Sequence, residues 1–222
     1  MLAEELINPN IPVLNPTDSV LEALDIMEQN GLSQLAMVEN DAYLGLISED
    51  MLLNLPDDTS LLGALNLPEE SVHVHLFQHI YELIQLTNQY RLALVPVLDE
   101  EGLYAGAVVT NEMLAKFALL LGVQEPGAVV VLSMPNHDYS LTDISRLVES
   151  NNTKILSSYF ASAEYGMPNE ATLTLKLNRT DVSAVVATFE RFGYQVAGTF
   201  SNKPIENPDR QRLDLLLRYL ET

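Results

Sequence analysis

The chain has 222 residues, 47% of them hydrophobic, with a mean hydropathy of +0.09 and a formal net charge of −20; that is material for one large or two small packed domains, not for a disordered acidic tail. It has no cysteine, which excludes disulfide staples, thiolate metal sites and cysteine nucleophiles. Up to Glu125 there are 20 acids against Arg91 and Lys116 alone, whereas the remainder carries 11 acids and 9 bases, so nucleic acid is not an expected partner and the charge step at the Pro-Gly break of "GVQEPGAVV" marks a domain boundary.

The opening "MLAEELINPN" has two acids and no base, unlike the basic region of a signal peptide, and no run approaches the roughly 18 apolar residues of a membrane span. A cytoplasmic protein without a membrane partner is expected. The first helix follows, with Ser19 and Glu22 at capping-box spacing, Val20, Leu24 and Met27 on one face, and Gly31 as its stop. Two apolar strands come next, "LAMV" (35–38) and the run into "GLISEDMLL" (45–53), where a second helix begins.

About sixty residues later the pattern returns. Ile80, Glu82 and Ile84 fall on Val20, Glu22 and Leu24, "VPVL" (95–98) on "LAMV", Tyr104 on Tyr43, Thr110 on Ser48 and Met113 on Met51. His79 stands where Ser19 caps the first copy, so the cap signal is lost there. The lead-in "HVHLFQH" spaces His73, His75 and His79 for a zinc or nickel ion, or alternatively forms an extended segment whose neutral rings line a cleft and stack on a base. No phosphate loop, nucleophile elbow or two-histidine zinc helix is present in the sequence.

Beyond the break the order is strand (128–134), helix (140–152), strand (154–162), alternating strand (171–178), helix (181–193) and strand (194–200), a ferredoxin-like split unit. In its first turn, "MPNHDYSLTDI", Asn136, His137, Asp138 and Ser140 are candidate polar contacts, with Asp138 or Ser140 equally able to cap the helix. At the end, Asn207 and Pro208 start a helix whose Leu213, Leu216, Leu217 and Leu220 make one apolar stripe to be buried.

The first region, clearest in "PVLNPTDSVLEALDIMEQNGLSQLAMVENDAYLGLISEDML", resembles the CBS domain, which occurs in tandem, over roughly residues 6 to 120. The resemblance implies an adenosine-containing ligand between the repeats and a regulatory, non-catalytic role. Ser48 and Thr110 match the hydroxyl that nucleotide-binding copies place after the second strand. Met51 and Met113 replace the aspartate those copies carry three residues on; Asp50 and Glu112 lie one residue early, about 100° round the helix. The methionines would offer soft surface to an adenine ring. Alternatively Ser48 and Thr110 cap their helices while the acids complement the helix amino termini.

The second region, through its element order, length and "ERFGYQV", resembles the ACT domain, which often binds amino acids between two copies. Tyr139 occupies a position usually held by glycine, closing the pocket or reshaping it. The order of domains resembles the acetoin-utilization B type of small bacterial protein. The expectation is therefore an α/β (α+β) chain: a tandem CBS pair over 1–125 (repeats about 6–60 and 66–122), a βαββαβ ACT-like domain over 126–203, and a helical tail over 204–222. It would sense a small-molecule effector, either an adenosyl compound in the CBS cleft or an amino acid at the ACT domain. The alternative is a ligand-free interaction scaffold. The candidate ligand-binding residues are Ser48, Asp50, His73, His75, Thr110, Glu112, Asn136, Asp138, Tyr139 and Ser140, with no catalytic residue, metal or cofactor assigned. A homodimer and an unidentified regulated protein are the expected partners. The scarcity of bases in the first region favours adenosine or AMP over ATP.

Overall fold

The computed structural model describes residues 1–201 other than Pro56, Asp58, 68–70 and 163–169. The expected tail helix and the tip of the last hairpin lie outside the described residues. The fold is mixed α/β and divides into two compact units, Met1–Phe117 and Ala118–Thr222.

In the first unit each repeat runs helix, antiparallel hairpin, helix. The first comprises α1 (Val20–Asn30), β1 (Gln34–Glu39), β2 (Ala42–Ser48) and the short α2 (Glu49–Leu53). Ser19 caps α1 as the sequence suggests: Glu22 N donates to Ser19 Oγ (3.3 Å) and Ser19 N to the Glu22 carboxylate (2.8 Å). Hydrogen bonds to the carboxylate from Ser19 N and then from Ser19 Oγ hold the Glu22 carboxyl below its usual range. The turn at Asn40 and Asp41, both at positive φ (50° and 65°), gives β1 and β2 the twist a two-residue hairpin needs.

The second repeat comprises β3 (Val74–His75), α3 (Ile80–Tyr90), β4 (Leu94–Leu98), β5 (Tyr104–Val109) and α4 (Thr110–Leu120). The lost cap turns out to be kept by other means. His79 Nδ1 accepts from Tyr81 N (3.4 Å), and Glu82 accepts from His79 N (3.1 Å), so an imidazole nitrogen replaces the serine oxygen. Arg91, at φ 53°, stands where Gly31 ends α1.

The repeats exchange their lead-in segments. The amide that opens α1, Val20 N, donates to Ser60 O (3.0 Å), and that of α3, Ile80 N, donates to Met1 O (3.1 Å). Leu62 N and Gly63 N pair with Asp18 O and Pro16 O in one copy; Ala3 N and Glu4 N pair with Gln78 O and Leu76 O in the other. Orphan amides at the two helix starts are thus satisfied by chain from the far side of the neighbouring repeat. Ala3 and Leu6 accordingly pack with Ile80, Leu83, Val95 and Val108, whereas Leu62 packs with Leu14, Val20 and Ile47.

Two glycines make room for this exchange. A Cβ on Gly45 would lie 2.8 Å from Leu67 Cδ1, and one on Gly106 would lie 2.6 Å from Ile7 Cγ2, in pseudo-equivalent places on β2 and β5.

The second unit contains β6 (Ala128–Pro135), α5 (Leu141–Glu149), β7 (Ile155–Ala161), β8 (Glu170–Leu177), α6 (Ser183–Arg191) and β9 (Gln195–Ser201). The sheet order is β7-β8-β6-β9, antiparallel throughout, which is the split βαβ arrangement read from the sequence. One face, carrying Val130, Leu132, Leu173, Leu175 and Leu177, packs on Ile144, Leu147 and Val148 of α5 and on Val185 and Phe189 of α6.

Gly106→Ala and Gly45→Ala are each expected to destabilise the protein by about 1–3 kcal/mol through overpacking. Gly102→Ala, where an added methyl meets nothing within 4 Å, costs only its positive-φ strain. Chemical denaturation of the three variants checks the order; a Gly102 variant as damaged as the other two would contradict it.

Candidate functional site

The Ser48 and Thr110 hydroxyls begin α2 and α4 but are bonded differently. Ser48 Oγ accepts from Met51 N (3.3 Å) and caps its helix. Thr110 Oγ1 instead donates to Leu92 O (2.8 Å), while Thr110 N donates to Ala93 O (3.0 Å), so this residue ties the helix start to the strand entry. The Glu112 carboxylate accepts from Asn8 Nδ2 (2.8 Å), and Asn8 N donates to Ala107 O (3.0 Å). Asp50 is exposed on the first turn of α2. Met113 is only 3% exposed and packs with Ile80 and Leu83, and it lines a cavity of about 580 Å³ with Thr110, Arg91 and Phe117; Met51 is half-buried.

The two lead-in histidines join a row of rings that the sequence did not reveal as a unit. Tyr104 stacks on Tyr43 (centroids 6.3 Å, 24° between planes), Tyr43 meets His73 edge-on (6.2 Å), His73 meets His75 edge-on (5.4 Å), and His75 stacks on the exposed Phe77 (5.6 Å). His73 Nδ1 faces Ser71 O (2.8 Å) and His75 Nδ1 faces Asp99 O (3.3 Å). A carbonyl can only accept, so both rings carry their proton on Nδ1 and, when neutral, keep a lone pair on Nε2. His79 is engaged at the α3 cap. Among the described residues no group of three or more His, Cys, Asp or Glu is placed to hold a metal.

The two tyrosines differ in one respect. Tyr43 Oη donates to Val72 O (3.1 Å), whereas the buried Tyr104 Oη has no partner among the described residues. Burial raises both phenols, that of Tyr104 to about 12, and the Tyr43 phenol is raised further by Tyr104.

In the second unit Asn136 and Asp138 bound a single helical turn at the end of β6. Asp138 borders a cavity of about 440 Å³ with Ser133, Pro135, Phe192, Tyr194 and Gln195. Ser140 is the cap of α5, accepting from Asp143 N (3.3 Å) and donating to the Asp143 carboxylate (2.9 Å). Tyr139 turns onto Phe160, with ring centroids 4.6 Å apart. The far wall of the cavity, Phe192 to Gln195, is not recognisable as a site from the sequence "RFGYQ" alone, because its place beside the first turn depends on β9 lying beside β6. Burial, then the Asp143 carboxylate, raises the Tyr194 phenol.

A family model for the CBS domain matches residues 3–58. Several solved structures are similar to the chain. A CBS domain pair/ACT domain protein from Thermotoga maritima is 24% identical, with a TM-score of 0.48 over 55% of this chain and 99% of that one. The protein CBSX2, solved in complex with AMP, is 18% identical, with a TM-score of 0.48 over 53% and 96%. The cytosolic domain of the Mg²⁺ channel MgtE, in complex with ATP, is 21% identical, with a TM-score of 0.45 over 52% and 48%. No described helix is long and apolar enough to cross a membrane.

Tyr43→Phe should cost about 1 kcal/mol through the bond lost to Val72 O, whereas Tyr104→Phe, which removes a buried unpartnered hydroxyl, should be neutral or stabilising. Urea denaturation of both variants tests this; equal losses would show that Tyr104 Oη is bonded in solution.

Proposed function

We propose that the chain is a non-catalytic regulatory protein that senses a small metabolite, holding an adenosyl compound between the two repeats of the first unit and signalling to a regulated protein. The observation that carries this reading is the CBS match over residues 3–58 together with the structural repetition of that element order through α4. Tyr43, His73 and His75 supply ring faces for a purine, and Ser48 and Thr110 stand at the two matching helix starts. Only Arg91 and Lys116 are basic up to Glu125, against 20 acids, so a ligand of low negative charge is favoured. The second unit, read as ACT-like, offers the cavity beside Asp138 to an amino acid, with Asn136, Tyr139 and Ser140 in the turn that bounds it.

One observation favours a ligand-free scaffold instead: Ser48, Thr110 and Glu112 already hold internal hydrogen bonds. Calorimetry with adenosine, AMP, ADP and ATP, each with and without magnesium, separates the readings. Adenosine or AMP should bind more tightly than ATP. Tight magnesium-independent ATP binding would overturn the charge argument, and silence from all four would leave the scaffold.

The reading includes a homodimer. Leu21, Leu53, Tyr81 and Leu114 project exposed apolar side chains from the helices of the first unit, a surface that association would cover. Light scattering should give twice 24.6 kDa; a monomer throughout the micromolar range would remove this part of the proposal.

A further inference from the structure

The alternation of β8 sends Leu173, Leu175 and Leu177 into the helix-covered core and Thr174 and Lys176 to the other face of the sheet. A lysine there should be solvated, yet Lys176 is only 7% exposed and Thr174 only 9%. In register, Lys176 lies between Val129 of β6 and Ser157 of β7, and Thr174 between Val131 and Tyr159. Leu121 and Val123 complete the lining of a cavity of about 230 Å³ over this row, and Ser157 Oγ donates to Leu121 O (2.7 Å), fastening that cover to the sheet.

Among the described residues Lys176 takes part in no ion pair. A cation on so covered a side chain, beside a largely apolar cavity, is stabilised by an anion that meets it. The other lining residues are Leu121, Val123, Val129 and Tyr159, with two small hydroxyl residues, Ser157 and Thr174, on the same face of the sheet as Lys176. A mostly apolar cavity with few convergent polar groups is the usual form of a small-molecule site.

We propose that this cavity binds a small branched aliphatic carboxylate, its head group paired with Lys176 and oriented by Thr174, its chain against Val129, Leu121, Val123 and Tyr159. The site is separate from the cavity beside Asp138 and does not depend on nucleotide binding by the first unit. The volume excludes a nucleotide, and the single cation suits one negative charge.

Isovalerate is a suitable probe, with isovaleramide as its uncharged counterpart, in calorimetry and amide NMR on the full chain. Isovalerate should bind saturably and shift the amides of Ser157, Thr174 and Lys176, while isovaleramide should bind at least tenfold more weakly. Lys176→Met, which keeps the stem and removes the charge, should weaken isovalerate on the order of tenfold to a hundredfold. Equal binding of acid and amide, no binding of either, or undiminished binding to Lys176→Met would each overturn the proposal. The acid-to-amide comparison on the unaltered protein decides the matter even if that variant fails to fold.

Discussion

Two amide-to-carbonyl bonds, Val20 to Ser60 and Ile80 to Met1, hold the first unit in its arrangement. Each satisfies the exposed amino terminus of a helix in one repeat with backbone leading into, or out of, the other. Neither repeat therefore has a complete core of its own: Leu62 fills the first, and Ala3 and Leu6 fill the second. The glycines at 45 and 106 follow from the same constraint, because the exchanged segments bring Leu67 and Ile7 against the strands at those places. A one-residue slip in either lead-in would lose the amide pairing and the apolar packing together.

The repeat itself was legible because apolar spacing and the pair of Gly-to-Met junctions survive a shift of about sixty residues. The exchange was not legible. The segments concerned form single turns, Ala3–Glu5 and Leu62–Ala64, too short to show a period, and their partners are set by tertiary pairing. His79 misled for a related reason: cap preferences are weighted toward hydroxyls and carboxyl groups, but an imidazole nitrogen can also accept a first-turn amide, here Tyr81 N. In the second unit the strict alternation of "ATLTLKLN" gave the strand and its core face correctly. It is silent on the burial of Lys176, because alternation says which face a side chain takes and not what covers that face.

The candidate site shows what pseudo-symmetry leaves free to vary. Ser48 caps a helix while Thr110 ties a strand, and among the described residues Tyr43 Oη is paired while Tyr104 Oη is not. Equivalent positions thus share a place in the fold without sharing a hydrogen-bond partner, so chemistry assigned by position alone is only a starting point. Of the residues singled out from sequence, His73 and His75 are brought together in one row of rings, and Asp138 borders a cavity; Ser140 is occupied as a cap.

The exchange is tested most directly by amide hydrogen exchange on Ala3→Glu, which places a charge at a fully buried position far from the second repeat in sequence. The account predicts that protection falls at Ile80, Leu83 and Val95, in the core that Ala3 enters, more than at Ala23, Met27 and Ile47 in the repeat that follows Ala3 along the chain. Loss confined to the first repeat, with Ile80 still protected, would contradict it.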